Sequence, residues 1–336
     1  MSKKQGSQTV VFTNKPSVLS YCAIAGLKEG QGNFKDYFDI ILEDDLFGEK
    51  TFEHSERKIF TEAVRGAVKK GKLDVSQLDV LVSGDLLNQI ITSSYTAREL
   101  SIPYLGLYGA CSTMAESLAV GALLIDSGSM LHVACCTGSH FSSAERQYRF
   151  PLELGNQRPP TSQWTVTGSG CTILAHDSSK IRITSATFGK VVDYGIADVN
   201  NMGAAMAPAA MDTLIAHFRD TNTKPKDYDL ILTGDLGKLG SEILMDLMER
   251  EGYKLGVNYS DCGQMMYNDT QKTFQGGSGA GCSAIVLNSY VFKKMEEGVY
   301  KKVLFCATGA LLSTLSSQQG DTIPGICHLV HLERYE

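Results

Sequence analysis

Leu78–Leu86 reads LDVLVSGDL, and Tyr228–Leu236, 150 positions later, reads YDLILTGDL. Each run is apolar for most of its length and closes on a small residue, Gly, Asp and Leu. Val, Leu and Ile without polar alternation mark a strand covered on both faces. A second pair follows in the same order. Val133–Gly138 reads VACCTG, and Leu304–Gly309, 171 positions later, reads LFCATG. At that offset Cys111-Ser112 maps onto Cys282-Ser283. Two blocks repeated in one order, with offsets differing by 21 residues, indicate a duplicated unit with unequal insertions.

Each half alternates strands with helices. Phe52–Lys70 sets Ile59, Ala63, Val64 and Ala67 on one helical face, ahead of the strand at Val80–Val82. A helical stretch after Ile91, the turn Gly109-Ala110-Cys111-Ser112, a helix over Ser112–Asp126 and a strand at His132–Cys136 complete the half. The second half reads as a helix near Ala209–Arg219, a strand at Leu230–Leu232 and a helix at Ser241–Glu251. Then come the run GGSGAG (276–281), a helix near Ile285–Glu297 and the strand Val303–Cys306. Buried strands alternating with helices require sheets sandwiched by helices. The predicted architecture is α/β, with duplicated βαβαβαββ-type halves over 1–178 and 179–336 in five layers, α/β/α/β/α. Residues 139–164, with Arg146, Arg149, Arg158, Tyr148, Trp164 and three of the eight prolines, stand outside the repeat as an inserted excursion.

Composition narrows the function classes. The 336 residues carry 31 basic and 37 acidic side chains, net −6, with no basic face for nucleic acid. Hydrophobic content of 43% supports a large core. Nine cysteines, an odd number without C-x-x-C spacing, read as free thiols in a reducing compartment rather than a zinc site or disulfide framework. The N-terminus has no apolar signal-peptide core, and Leu118–Ile125, the longest uncharged apolar stretch, is too short for a membrane span. GGSGAG lacks the following Lys-Ser or Lys-Thr of a nucleotide loop.

Duplication, a Gly-Ala-Cys-Ser turn before a helix, and a late glycine-rich run together resemble the thiolase superfamily, which includes thiolases and ketoacyl synthases. Longer stretches resemble, more narrowly, the stage V sporulation protein AD family of endospore-forming bacteria. They are FTNKPSV at 12–18, YGACSTMAESLAVGALLIDSG at 108–128, the whole of 133–170 and STLSSQQGDTIPGICHLVHLE at 313–333. The resemblance implies the thiolase fold and binding of dipicolinic acid (pyridine-2,6-dicarboxylate) for uptake into the developing spore. It also implies a link to germination, membrane-protein partners from the same operon, and residence in the sporulating cell, peripheral on the forespore or spore inner membrane through those partners. A homodimer pairing through His132–Cys136 is expected as well.

The candidate site follows from residue chemistry and from that resemblance. Cys111 opens a helix, where backbone N–H groups and the dipole favour a thiolate. By resemblance it matches the acyl-accepting cysteine of condensing enzymes. Those enzymes add a histidine and an asparagine or histidine to hold the enolate. The matching positions here are Thr233–Leu236 and Gly276–Gly279, and neither contains His or Asn. The expectation is a vestigial nucleophile in a non-catalytic binding cleft. A Cys111 acyl-thioester transferase or hydrolase and a purely architectural subunit stand as alternatives. A flat dianion asks for donors at two edges. Cys111, Ser112, His140, Arg146, Arg149, Asp235, Gly277, Ser278 and Gly279 are the candidates. No resident cofactor or metal site is expected. If calcium accompanies dipicolinate, Asp85 and Asp235 are the candidate oxygen donors.

Overall fold

The computed structural model describes residues 2–148, 158–176 and 179–336. After a short hairpin, β1 (Lys3–Gln5) and β2 (Thr9–Val11), the first half contains β3 (Ser17–Ala25), β4 (Ile40–Ile41), α1 (Phe52–Lys70) and β5 (Val80–Gly84). It continues through α2 (Ile91–Leu100), β6 (Tyr104–Gly106), α3 (Thr113–Asp126), β7 (His132–Ser139), α4 (Phe141–Tyr148), β8 (Trp164–Thr165) and β9 (Gly168–Ala175). The second half contains β10 (Ile181–Thr187), α5 (Met202–Thr221), β11 (Leu230–Thr233), α6 (Gly237–Arg250) and β12 (Tyr259–Asp261). It closes with β13 (Gly277–Ser278), α7 (Ala280–Val286), β14 (Lys302–Ala310) and β15 (Gly325–Arg334).

The repeat read in the sequence is a repeat of topology. Strands run β6-β5-β7-β9-β3 in one half and β12-β11-β14-β15-β10 in the other. In both, the first three strands are parallel and the last two pairings antiparallel. The halves join where Arg182 meets Ser17 and where β2 pairs β10. Helices α1 and α2 cover one outer face, and α5 and α6 the other. Between the sheets lie α3 and α7. A helix in that position must be apolar all round and narrow enough to fit. Accordingly α3 buries Met114, Ala115, Leu118, Ala119, Ala122 and Ile125. Gly121 completes the fit, since a Cβ there would lie 2.6 Å from the Cys135 sulfur.

The central turns are held by close backbone approach. A Cβ on Gly309, at the end of β14, would sit 2.3 Å from the Gly109 carbonyl oxygen. One on Gly281 would sit 2.9 Å from the Ser139 hydroxyl at the end of β7. The end of each central strand thus presses on the helix-opening turn of the other half.

The expected dimer strand is corrected here. His132–Cys136 lies within β7, which is bonded to β5 on one side and β9 on the other. It has no edge to offer a second chain. The free edge of this half is β6, whose Leu105 is exposed.

Candidate functional site

A continuous cleft opens where the two central turns meet. Its inner part, about 60 Å³, is lined by Leu86, Tyr108, Ala110, Cys111, Ala144, Glu145, Tyr148, Thr165, Met202, Ser278, Gly279, Ala310 and Leu312. That is room for about two waters at the volume water occupies in the liquid. Leu86, Tyr108, Tyr148 and Leu312 also line an outer groove of about 510 Å³ that continues toward Gly106 and Ser316.

Cys111 sits in a single 3-10 turn, Ala110–Ser112, directly before α3. The turn is tight enough to force Ala110 to a φ of +49°, a left-handed conformation that costs a non-glycine residue energy. Opposite it, Gly279 takes a φ of +96° at the entrance to α7. β13 pairs with β8, so the end of the inserted segment fixes the glycine-rich turn. Gln163 reinforces this, its side-chain amide donating to the carbonyls of Asp235 (2.6 Å) and Gly277 (2.8 Å).

Asp235 is the centre of the arrangement. It is fully buried, and its carboxylate accepts from the Ser278 hydroxyl at 2.9 Å, the Gly279 N–H at 3.0 Å and the Thr308 hydroxyl at 2.8 Å. The Cys111 thiol lies close enough to this carboxylate for each to shift the other's pKa. Burial holds the Asp235 pKa above the usual carboxylate range despite these bonds. Burial also raises the Cys111 thiol well above its ordinary value, and the neighbouring Asp235 charge and hydrogen bond raise it further. The Gly279 N–H and Ser278 hydroxyl oppose this without reversing it. The helix-start expectation of a thiolate is therefore corrected. The negative charge of a carboxylate faces the sulfur where an activating base would need to be electropositive or neutral.

The remaining sequence candidates separate clearly. Cys111, Asp235, Ser278 and Gly279 come together around the cleft. Ser112 is wholly buried beneath the turn, and Gly277 faces Gln163 and Val166 rather than the cavity. His140 is buried away from the cleft. Its Nε2 donates to the Asp45 carbonyl at 2.7 Å, and its Nδ1 accepts the Ser142 N–H at 3.1 Å. Those two bonds select the neutral Nε2–H tautomer, and burial lowers its pKa accordingly. Arg146 projects outward to Glu53 at 3.1 Å. Arg149 lies outside the described residues. Asp85 is engaged by the N–H groups of Leu87 and Ser93 and by the Ser93 hydroxyl, so it braces α2. With both its oxygens similarly engaged, Asp235 is also unsuited to calcium, and the two-aspartate expectation fails on the same ground.

Sequence reasoning missed Tyr108, Glu145 and Tyr148. The signal was present in α4: its helical period puts Ala144, Glu145 and Tyr148 on one side and Arg146 on another. Tyr148 donates to the Leu86 carbonyl at 2.7 Å. Glu145 is buried and lies 3.6 Å from the guanidinium of Arg158, which also stands 4.9 Å above the Trp164 ring. No group of three His, Cys, Asp or Glu among the described residues is arranged to hold a metal ion.

The profile of the family described as stage V sporulation protein AD matches residues 6–333. The chain belongs to the stage V sporulation protein AD family. It is 46% identical over 332 residues to stage V sporulation protein AD of Bacillus subtilis (strain 168), covering 99% of this chain and 98% of that one. Membership assigns it to sporulation. Solved structures of condensing enzymes and thiolases share its fold. The 3-oxoacyl-[acyl-carrier-protein] synthase III of Aquifex aeolicus VF5 superposes with a TM-score of 0.58 at 13% identity, over 95% of this chain and 100% of that one. Human mitochondrial 3-ketoacyl-CoA thiolase gives 0.61 at 12%, over 97% and 100%. An OleA structure from Xanthomonas campestris gives 0.62 at 13%, over 96% and 97%. At these identities the likeness is one of fold. No helix among the described residues is long and apolar enough to cross a membrane.

Proposed function

We propose that this sporulation protein is a non-catalytic binder of dipicolinic acid, its cleft retained from the thiolase fold without the chemistry. The observation that carries the proposal is the Cys111–Asp235 pair. Condensation needs a nucleophilic sulfur and donors for an enolate oxygen. Here the carboxylate raises the thiol's pKa and consumes the Ser278 and Gly279 donors. Tyr108 and Tyr148 supply aromatic walls suited to a flat ring.

The cleft also bears on the form of the ligand. Asp235 lies just behind it, so a free dianion meets that charge, whereas Glu145 is offset by Arg158 at 3.6 Å. The calcium chelate of dipicolinate is neutral and escapes that repulsion. The reading therefore favours dipicolinate with calcium. It includes attachment to the spore membrane through protein partners. It also includes a homodimer formed at the β6 edge, where Leu105 and Tyr108 are exposed beside Ile91 and Tyr95 of α2.

Equilibrium dialysis with dipicolinate, alongside intact-mass measurement after incubation with acyl-coenzyme A of several chain lengths, tests the proposal. Retained ligand and no mass shift are expected. A stable acyl adduct on Cys111 overturns the non-catalytic reading in favour of an acyl transferase or hydrolase.

A further inference from the structure

Between β3 and α1 the chain makes a long excursion whose chemistry the cleft does not use. From Asp36 to Glu49 it reads DYFDIILEDDLFGE, with six acids and no lysine or arginine. Ile40, Ile41 and Leu46 are each about two-fifths exposed, as is Leu27 just upstream. Exposed isoleucine and leucine among carboxylates are costly to leave in water unless something covers them.

The loop is rigidly presented. Leu42 is buried as an anchor, and its N–H donates to the Ala25 carbonyl at 2.9 Å. The Asp44 carboxylate accepts the N–H groups of Leu46 (2.8 Å) and Phe47 (2.7 Å). His140 clamps the Asp45 carbonyl and Lys58 the Phe47 carbonyl, each at 2.7 Å. His140, a cleft candidate in the sequence, thus fixes this surface instead. Asp39 and Glu49 are paired with Lys70 and Lys58. No ion pair among the described residues engages Glu43, Asp44 or Asp45.

Two further features define what the surface accepts. β4 pairs only with β3, so its outer edge is open to another strand. Beside it lies a recess of about 230 Å³, bordered by Leu27, Lys28, Gln31, Asp45, Phe141 and Trp164. Phe141 and Trp164 are stacked at 3.9 Å and form a rigid aromatic wall. Lys28 Nζ stands 4.1 Å over the Trp164 ring, so the recess already holds a cation and the apolar contact falls on Ile40, Ile41 and Leu46.

We propose that the Asp36–Glu49 loop is a docking surface for a basic, apolar, extended segment of a partner protein. The segment adds to the open edge of β4, sets cations against Glu43, Asp44 and Asp45, and lays its apolar side chains on Ile40, Ile41 and Leu46. Charge selects this occupant. A second copy of the chain would set acids against acids about a twofold axis. An anionic lipid surface or a nucleic acid is repelled in the same way. The proposal is independent of what the cleft binds.

The test uses the full chain and a fluorescent peptide of alternating lysine and isoleucine. Lysine–serine and glutamate–isoleucine peptides are the controls. Fluorescence anisotropy is expected to show saturable binding of the lysine–isoleucine peptide alone. Hydrogen exchange should slow at Ile40–Leu42. The double substitution Glu43→Lys with Asp45→Lys should weaken binding about tenfold or more, since charge pairs at an interface rim and strand edge set selectivity. Ile41→Ser, which leaves every charge in place, should also weaken it. Equal binding of the lysine–serine peptide, or exchange protection confined to another face, would overturn the proposal. So would affinities of both variants within about twofold of the parent.

Discussion

Replacing Asp235 with Asn should make Cys111 more reactive, though burial, the larger cause of its raised pKa, remains. A unit charge about 4 Å from a thiolate, at an effective dielectric near 20, costs on the order of 4 kcal/mol. That corresponds to about three pKa units. The thiolate population at mildly alkaline pH would rise by up to about a thousandfold. A less basic thiolate is also less nucleophilic, and with a Brønsted slope near 0.5 about half the logarithmic gain is lost. Alkylation of Cys111 by iodoacetamide should therefore accelerate roughly thirtyfold. Peptide mass spectrometry across a pH series reads the rate, with Cys282, the wholly buried counterpart in the other half, as internal reference. Asn can still accept from Thr308, but its amide turns a donor toward Ser278 or Gly279. About 1–3 kcal/mol of stability should be lost, which chemical denaturation would show separately from reactivity. A Cys111 alkylation rate within about twofold of the parent would refute the claim that Asp235 governs the thiol.

Other consequences are equally direct. Burial raises Glu29 and Glu116 each to about 7 and Asp261 to about 6. Raised carboxyl pKa values mean stability that is complete below the unfolded values and is lost as pH rises through 6 to 7, so thermal midpoints should fall between pH 5 and 8. For Glu29, wholly buried, the effect is on the order of 3 kcal/mol, and Glu29→Gln should flatten the pH dependence measurably. Gly309→Ala would drive a methyl into the Gly109 carbonyl at the base of the Cys111 turn and should cost about 1–3 kcal/mol or more in denaturant unfolding. Arg146→Ala removes a half-exposed pair with Glu53; stability should change by less than about 1 kcal/mol, and ligand affinity should not change.

How much of this was legible in the sequence depended on the kind of signal. The duplication was, because strands buried on both faces must be apolar throughout and must end in tight turns, giving LDVLVSGDL and YDLILTGDL their likeness. The meeting of Cys111 with Ser278 and Gly279 followed from equivalent turns in two related halves. Side-chain direction was not legible. His140 and Arg146 carry donors, but β7 runs on to Ser139 and α4 begins at Phe141, which points His140 into the Asp45 loop and Arg146 to solvent. Glu145, on the cleft side of the same helix, was not legible either, because a site for an anion asks for donors and a carboxylate is an acceptor. The edge strand was missed for a similar reason. β6 is three residues long, whereas the apolar run of β7 signals a strand enclosed on every side.

Calorimetric titration of the Cys111→Ser variant with dipicolinate, with and without calcium, tests the central claim most directly. Pyridine-2-monocarboxylate serves as the control. The account predicts saturable heat close to that of the parent protein, strengthened by calcium and absent with the monocarboxylate, because the cleft binds without using the sulfur. Loss of binding on replacing that one sulfur by oxygen, or no heat from the parent protein at millimolar ligand, would contradict it.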